Sequence, residues 1–304
     1  MITQDSLVSI IMPCYNARKT LPLALASLFC QTYEKWECIL VDDGSTDRPQ
    51  EVIDRANDPR IKYFRLERNM GRGAARQAAL DRASGDLLCM LDADDWLYPS
   101  KIQRQVEVME REPKLALVST GMAIVNAQND IVGVRSRGPH GQEPVICGPL
   151  IRLAPPPVAH APSMMRMETA KQSKYDQSFK LAEDEDFLLR VLMDRYYCVL
   201  PDLTYVYTEH ASITEDKILR ALHNSQQTFW KYRDRFPVAS RVNMRKAAVK
   251  SIVYRGAFAV GLGRWIIERR SQKPTVEDVH GFKLARQSVC TVARRLFGNS
   301  SERC

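Results

Sequence analysis

The chain contains a group of carboxylates that directly follows an apolar segment. Residues 87–91 are apolar throughout, and Asp92, Asp94 and Asp95 come within the next four positions. The apolar run predicts a strand buried on both faces of a mostly parallel sheet, and such sheets bind ligands at the carboxyl ends of their strands. Carboxylates gathered there repel one another unless a cation lies between them, and Mg²⁺ and Mn²⁺ bridge carboxylates to phosphates. The spacing therefore suggests a divalent metal that holds a diphosphate, although an Asp-x-Asp after an apolar run is more often a solvated turn or a helix N-cap.

A second acidic cluster opens a predicted helix much further along the chain. Glu183, Asp184 and Asp186 lie directly before the apolar residues 187–189. Acidic residues in the first turn of a helix are stabilised by the helix dipole, so capping alone explains their position. A carboxylate at a helix N-terminus can also act as a general base that takes the proton of a hydroxyl group. Both interpretations stay open on the residues alone.

The order of predicted elements places these residues in an α/β fold. Apolar runs at residues 7–12 and 36–41, together with residues 61–65, predict strands that alternate with helices before the run at 87–91. The alternation predicts a parallel sheet with right-handed crossovers. Because parallel strands end at the same edge of a sheet, we expect Tyr15, Asp43 and the carboxylates after residue 91 to face one ligand site.

Five motifs in this order resemble those of the family 2 inverting glycosyltransferases of GT-A fold. The motifs are Val8–Asn16, Gln31–Tyr33, Val41–Asp47, Asn69–Arg76 and Asp92–Asp95. Five ordered motifs are specific, whereas each alone is common. The resemblance extends over about residues 7–215 and implies a GT-A nucleotide-sugar-binding catalytic domain over residues 1–217, followed by a helical basic region over 218–304. One departure is Gln77, where the family usually has Asn after the arginine.

The resemblance implies a donor-binding set and a metal site. The donor-binding residues are Pro13, Tyr15, Asp43, Arg72, Arg76 and Asp92. In this assignment Tyr15 stacks on the base, Asp43 accepts the N3 hydrogen of a uracil, the two arginines pair with the diphosphate and Asp92 reaches the ribose. Asp94 binds the metal and Asp95 caps or assists. From the residues alone, a turn carboxylate, a packing tyrosine and solvated helix arginines remain alternatives.

The acceptor side of the site is assigned in the same way. Alignment of Arg190 with an arginine of the family makes Asp184 the catalytic base, with Glu183 and Asp186 as alternatives. His160 belongs to a segment similar to the family's His-Pro-Ser strand, although Ala161 replaces the proline, and it is either structural or an acceptor contact. His210, in a late His-x-x-Ser motif, is a further metal ligand, a phosphate donor or an exposed loop histidine.

The net charge of +8 is distributed unevenly along the chain. Residues 218–304 carry 18 Lys and Arg against 5 Asp and Glu, whereas residues 1–217 carry 26 against 31. Spacing predicts helices over 218–236, 241–270 and 280–297 in this basic region. Nucleic-acid signatures are absent, so we expect no nucleic-acid partner. A Trp-bearing amphipathic helix with arginines favours peripheral contact with an anionic membrane, and a helical subdomain packed on the catalytic domain is the alternative.

The cysteines and the chain start bear on location. Eight cysteines occur without a Cys-x-x-Cys pair, which predicts reduced thiols in a cytosolic chain and argues against a disulfide framework or a zinc site. The first residues lack the basic region of a signal peptide, and the longest weakly polar stretch is too short to cross a bilayer. We therefore expect a cytoplasmic protein, peripheral on the inner face of the plasma membrane.

Together these observations predict a metal-dependent (Mn²⁺ or Mg²⁺) inverting glycosyltransferase of polysaccharide biosynthesis. Its expected donor is a UDP-linked hexose or hexosamine, and its expected acceptor is a hydroxyl of a glycan or a lipid-linked sugar. A sugar-nucleotide nucleotidyltransferase is the nearest alternative, but the glycine-rich N-terminal loop of those enzymes is missing. A nucleic-acid-binding protein that uses the basic tail is a weaker alternative.

Overall fold

The computed structural model describes residues 6–135, 144–179, 183–209 and 214–298, together with Cys304. Strands and helices alternate along its first part, as the apolar runs predict. The strands are β1 (Val8–Cys14), β2 (Trp36–Asp42), β3 (Ile61–Arg65), β4 (Leu87–Met90), β5 (Trp96–Leu97), β6 (Leu115–Val125), β7 (Ile131–Arg135), β8 (Val145–Cys147), β9 (Met164–Arg166) and β10 (Tyr196–Thr208). The helices are α1 (Leu21–Phe29), α2 (Gln50–Ala56), α3 (Arg72–Arg82), α4 (Lys101–Arg111), α5 (Met167–Ser173), α6 (Glu183–Leu192), α7 (Glu215–Lys231), α8 (Pro237–Ala259), α9 (Gly263–Glu268) and α10 (Val276–Phe297).

The strands form one mixed sheet in which six of the ten strands run in the same direction. Its order is β3-β2-β1-β4-β9-β6-β10-β5, with β7 paired to β6 and β8 paired to β10. β1 is parallel to β2 and to β4, and β6 is parallel to β10, whereas β9 is antiparallel to both β4 and β6. This architecture confirms the predicted α/β fold. Because β2 lies on one side of β1 and β4 on the other, the carboxyl ends of these three strands enclose a crevice of the kind that binds ligands in open sheets.

Helices cover both faces of the sheet, which explains why its central strands are apolar. Every residue of β2, β4 and β6 is buried, as is typical of strands with helices on both faces. Helices α1, α4 and α10 contribute to the core on one face, and α3, α5 and α6 contribute to the core on the other. The sheet is thus a rigid base for the loops that follow β1, β2 and β4.

The C-terminal helices pack in two different places. α10 buries Phe282, Val289 and Phe297 in the cluster that also contains α1. α7 and α8 pack beside α6, around Phe229 and Leu189. The division at residue 217 stays a prediction, and α10 shares the core of the first part of the chain.

The helix predicted over residues 241–270 is divided in two. α8 ends at Ala259 and α9 begins at Gly263. Gly261, between them, has φ +78°, a left-handed conformation that ends helices and favours glycine. Across the described ranges, none of the helices is long and apolar enough to traverse a bilayer.

Two of the eight cysteines depart from the expectation of reduced thiols. Cys290 on α10 forms a disulfide with Cys304, whereas the other six cysteines are free thiols. The expectation is therefore wrong for this pair. The two cysteines are 14 residues apart in sequence, and that spacing alone does not indicate a disulfide.

Candidate active site

A cavity of about 480 Å³ lies outside the carboxyl ends of β1, β2 and β4. It occupies the crevice that the strand order creates. The cavity brings together six of the predicted site residues, and its lining consists of Pro13, Cys14, Tyr15, Asn16, Ala17, Thr20, Asp43, Asn69, Gly71, Arg72, Ala75, Asp92, Ala93 and Asp94. The other predicted site residues within the described ranges do not line it. His210 lies outside the described residues.

Asp43 forms a wall of the cavity beneath the loop that precedes α3. It is only 3% exposed, and its oxygens accept hydrogen bonds from the backbone amides of Met70 at 2.6 Å and Gly71 at 2.9 Å. Each carboxylate oxygen has two lone pairs, so a further donor from a ligand can be accepted. The adjacent Gly44 has φ +71°, and a Cβ there would meet the backbone of Arg68 at 2.6 Å, so the close approach of the two loops requires glycine.

Tyr15 lies at the mouth of the cavity and is 50% exposed. The next residue, Asn16, has its backbone amide bonded to Ser45 Oγ at 2.9 Å, and its side-chain oxygen accepts from the amide of Thr46 at 2.9 Å. These bonds hold the loops after β1 and β2 against each other. The ring of Tyr15 is thereby left at a fixed entrance, where it can stack on a planar ligand.

Arg76 lies beneath the cavity and joins two carboxylates. Its side chain is 2% exposed, and it donates from Nη2 to Asp92 Oδ1 at 2.8 Å and from Nη1 to Glu183 Oε1 at 2.9 Å. Arg72 donates from Nε to the same Glu183 oxygen at 2.6 Å. The expectation that both arginines face a diphosphate is corrected for Arg76, because it is buried between carboxylates. Arg72 alone of the two lines the cavity.

These ion pairs set the charge of the carboxylates. Burial alone would raise the pKa of Asp92, but the guanidinium groups of Arg76 and Arg72 outweigh burial and lower that pKa to about 2. Burial opposes ionisation of Glu183 as well, and the same two arginines hold its pKa below the ordinary value. Both carboxylates are therefore anionic at neutral pH.

The first turn of α6 carries the three predicted base candidates in different environments. Glu183 is fully buried in the ion pairs described above. Asp186 is also fully buried, pairs with Arg190 and accepts hydrogen bonds from Lys231 Nζ at 3.2 Å and from Tyr232 Oη at 3.1 Å. Neither alternative carboxylate is placed to meet an acceptor.

Asp184 is half-buried, in contrast to Glu183 and Asp186. One of its oxygens accepts a hydrogen bond from the backbone amide of Glu185 at 3.0 Å. Burial lowers the pKa of Arg76, but the charges of Asp92, Glu183 and Asp184 raise it, so Asp184 lies within electrostatic range of the guanidinium beneath the cavity. Because Arg72 lines the cavity and also binds the first residue of α6, this helix begins at the edge of the cavity.

Asp95 is buried and fastens β10 to the turn after β4. Its oxygens accept from Tyr205 Oη at 2.8 Å and from the amide of Thr208 at 2.8 Å, and Thr208 Oγ1 donates to the carbonyl oxygen of Asp94 at 2.7 Å. Burial, followed by the charges of Asp94 and Asp92, raises the pKa of Asp95 well above its ordinary value. Asp95 thus positions the turn and does not line the cavity. Sequence reasoning missed both partners on β10. In the sequence, a tyrosine within an apolar run cannot be distinguished from a tyrosine that only packs in the core.

Asp94 is the predicted metal ligand that the structure places on the cavity wall. Among the described residues, no three or more His, Cys, Asp or Glu side chains are arranged to hold a metal ion. Mg²⁺ is commonly held by one or two carboxylates together with substrate phosphates and water. A carboxylate in the same cavity as Arg72 fits such a shared site, to which a diphosphate would bring the remaining oxygens.

His160 lies behind the site and not at an acceptor surface. It is 4% exposed, its Nε2 is 2.7 Å from Tyr175 Oη, and its ring packs edge-on against Phe187 at 5.7 Å. Burial, and then the charge of Arg76, lowers the pKa of His160 well below its ordinary value. The expectation of acceptor contact is corrected, because the aromatic neighbours cover the ring. Gln77, the departure noted in the motif, accepts from the amide of Tyr175 at 2.6 Å and so anchors the same segment.

Residues 9–160, half of the chain, match the family described as Glycosyl transferase family 2. The chain is 37% identical over 129 residues to the Escherichia coli protein named UDP-Glc:alpha-D-GlcNAc-diphosphoundecaprenol beta-1,3-glucosyltransferase WfgD. The aligned segment covers 42% of this chain and 50% of that protein. The chain spans about half the length of the curated relatives it matches.

Two solved structures share the fold over nearly the whole chain. S. aureus TarS 1-349 in complex with UDP-GlcNAc superposes with a TM-score of 0.59 at 17% identity and covers 97% of this chain and 89% of that chain. Mannosyltransferase PcManGT from Pyrobaculum calidifontis, in complex with GDP-Man and Mn²⁺, superposes with a TM-score of 0.58 at 17% identity. The match covers 96% of this chain and 87% of that chain. At these identities the likeness establishes the fold alone.

Proposed function

The chain belongs to glycosyl transferase family 2, and from this premise we propose that it transfers a sugar from a nucleotide-sugar donor to an acceptor hydroxyl in polysaccharide biosynthesis, with inversion at the anomeric carbon. The observation that carries the proposal is the cavity at the ends of β1, β2 and β4. Its walls combine an aromatic ring, three aspartate carboxylates and an arginine, which are the groups that a base, a ribose and a diphosphate require.

The donor is a UDP-sugar. Tyr15 stacks on the uracil at the mouth, Asp43 accepts its imide hydrogen, and the anionic Asp92 accepts a ribose hydroxyl. Arg72 pairs with the diphosphate, because its guanidinium lines the cavity while its Nε remains bonded to Glu183. The names of relatives support uridine, since WfgD is named for UDP-Glc and TarS was crystallised with UDP-GlcNAc.

Asp94 would hold a divalent cation, Mn²⁺ or Mg²⁺, and His210 is the second proposed protein ligand. The ion, when bound, neutralises charge on the departing nucleotide. Asp95 keeps Asp94 in place through its bonds to β10. The PcManGT complex with Mn²⁺ supports a metal in this fold.

Asp184 acts as the general base. It takes the proton of the acceptor hydroxyl while that oxygen forms a bond to the anomeric carbon, from the face opposite the diphosphate. The bond between the anomeric carbon and the diphosphate oxygen breaks, and the nucleotide leaves with the electron pair. The location of α6 at the edge of the cavity, with Glu183 bound to Arg72, supports this assignment over the two buried carboxylates.

The acceptor is a hydroxyl of a glycan or of a lipid-linked sugar. WfgD is named for a diphosphoundecaprenol acceptor, which supports the lipid-linked class. We place the protein at the cytoplasmic face of the plasma membrane, with peripheral contact through residues 218–304.

A nucleotide-sugar panel tests the proposal directly. We expect UDP-sugars to raise the melting temperature in the presence of Mn²⁺, and Asp43→Ala to abolish that shift, whereas Asp54→Ala, an exposed carboxylate on α2, leaves it intact. Transfer of a radiolabelled sugar to lipid extract then reports the reaction. An absent response to every nucleotide sugar, or release of diphosphate from UTP and a sugar phosphate, would contradict the proposal.

A further inference from the structure

Helix α8 exposes its apolar side chains and buries its small and polar ones. Ser240, Asn243 and Ala247 face inward, where Ser240 Oγ donates to the carbonyl of Phe229 at 2.7 Å and Asn243 Nδ2 to that of Leu153 at 2.8 Å. With about 3.6 residues per turn, five exposed apolar residues fall within about 100° of one face. This apolar stripe consists of Val238, Val242, Val249, Ile252 and Val253.

The same helix is strongly and exclusively basic. Its 23 residues include five Lys and Arg and no Asp or Glu, and all five cations are exposed. By helical spacing, Lys246 and Lys250 lie along one border of the apolar stripe, Arg241 and Arg255 lie along the other, and Arg245 falls within the stripe. An apolar stripe between rows of cations is the arrangement of helices that lie flat in the interface of an anionic bilayer.

We propose that the apolar stripe of α8 inserts into the interfacial region of an anionic bilayer, with its flanking cations against the lipid phosphates. The inference refines the membrane contact of the proposed function. The biological role of that contact rests on the proposed function, whereas the contact itself does not. A second copy of the chain is disfavoured as the occupant, because pairing two such stripes would bring two sets of five like charges together. A negatively charged leaflet complements both the stripe and its borders.

The stripe is rigidly connected to the helix that carries the proposed base. On α7, Ser225 Oγ donates to Glu185 of α6, and Lys231 Nζ contacts Asp186 at 3.2 Å. α8 in turn packs on α7, with Phe229 buried between them and Leu189 of α6. Insertion of α8 into a bilayer would therefore fix the orientation of α6 relative to the membrane. The edge of the cavity would then face an acceptor embedded in that membrane.

Vesicle co-sedimentation of the full chain tests the proposal. Vesicles that contain about 30% phosphatidylglycerol should bind the protein, with binding that weakens as salt rises, and neutral phosphatidylcholine vesicles should not. Val249→Glu/Ile252→Glu should weaken binding at least about tenfold, since two inserted apolar groups are replaced by charge. The matched control Ile151→Glu/Val276→Glu changes two exposed apolar residues elsewhere, 69% and 87% exposed, and should bind as the wild type does. Arg245→Gln/Lys246→Gln should lose about fivefold per charge for anionic vesicles.

A variant with a fluorescent reporter on α8 tests the proposal even if the double glutamate variant does not fold. Ile252→Trp places an aromatic ring at a position that is 70% exposed, and brominated lipid should quench its fluorescence beyond the quenching seen in the wild type. Three results would overturn the proposal: equal vesicle binding by the stripe and control variants, an unquenched Ile252→Trp, or dimerisation that the stripe variant abolishes.

The proposed function and the membrane contact are tested by separate measurements. Each variant should retain the melting-temperature shift produced by UDP with Mn²⁺, because none touches the cavity. Vesicle binding without any nucleotide response would contradict the proposed function and support the membrane contact. A nucleotide response without vesicle binding would support the proposed function and contradict the membrane contact.

Discussion

Asp92 and Glu183, which belong to acidic clusters far apart in the chain, are held by one guanidinium. Arg76 donates to Asp92 Oδ1 at 2.8 Å and to Glu183 Oε1 at 2.9 Å. The turn after β4 and the start of α6 are therefore fixed to each other through a buried charge. This relationship is what places a carboxylate from α6 beside a cavity built by β1, β2 and β4.

Replacing Arg76 with Met should destabilise the fold by about 3–5 kcal/mol, because it leaves buried carboxylates without a counter-charge. The loss is measured as the change in free energy of unfolding by urea. Arg82→Met, at an exposed position of the same helix, is the control and should cost less than about 1 kcal/mol. Adding Glu183→Gln to Arg76→Met should recover part of the loss. A cost for Arg76→Met no larger than that of the control would mean that the pairing contributes nothing.

Asp184→Asn should retain nucleotide binding and lose transfer by about 10²–10⁴-fold, as expected for a missing general base. Asn keeps the size of the side chain and its bond to the amide of Glu185, so the fold should be unaffected. The control is Asp216→Asn, another first-turn aspartate, exposed on α7. Initial rates and donor affinity are compared for both variants. Undiminished transfer by Asp184→Asn would remove it from the catalytic role.

The strands that build the cavity, β1, β2 and β4, are readable from sequence because each is largely apolar. The place of β9 is not, since three residues between β4 and β6 are fixed only by long-range pairing. In the C-terminal region, spacing predicted a helix over 241–270, and the positive φ of Gly261 divides it. A glycine inside a helical pattern is compatible with either outcome until packing decides.

The site shows the same division. Motif positions placed Tyr15, Asp43, Arg72 and Asp94 at one cavity, because they follow strands that end at one edge. The burial of Arg76 was not foreseen, since its partner Glu183 belongs to a distant helix whose docking the motif does not encode. The side chains of Tyr205 and Thr208, which hold Asp95, were missed for the same reason.

Asp94→Asn should abolish the dependence of UDP affinity on Mn²⁺ and reduce transfer to the level that the wild type shows in EDTA. The physical reason is that a neutral amide is a much weaker ligand than a carboxylate for a hard divalent ion. Isothermal titration of UDP with and without Mn²⁺ measures the effect, and Asp81→Asn, on the exposed side of α3, serves as control. Wild-type turnover that persists in chelator would contradict the metal assignment.

His160 should make the fold less stable as pH falls below about 6.5. Its pKa in the folded protein is well below the ordinary value because burial and Arg76 oppose the charge, so the unfolded chain takes up a proton that the folded protein does not. Stability from this group is complete above its unfolded pKa and declines by at most about 1.4 kcal/mol per pH unit between pH 6.5 and 5. His160→Gln should flatten the pH dependence of the urea unfolding free energy in that window, whereas His223→Gln, at an exposed site on α7, should not. Parallel pH profiles for the wild type and His160→Gln would mean that the ring is protonated as readily in the folded protein as in the unfolded chain.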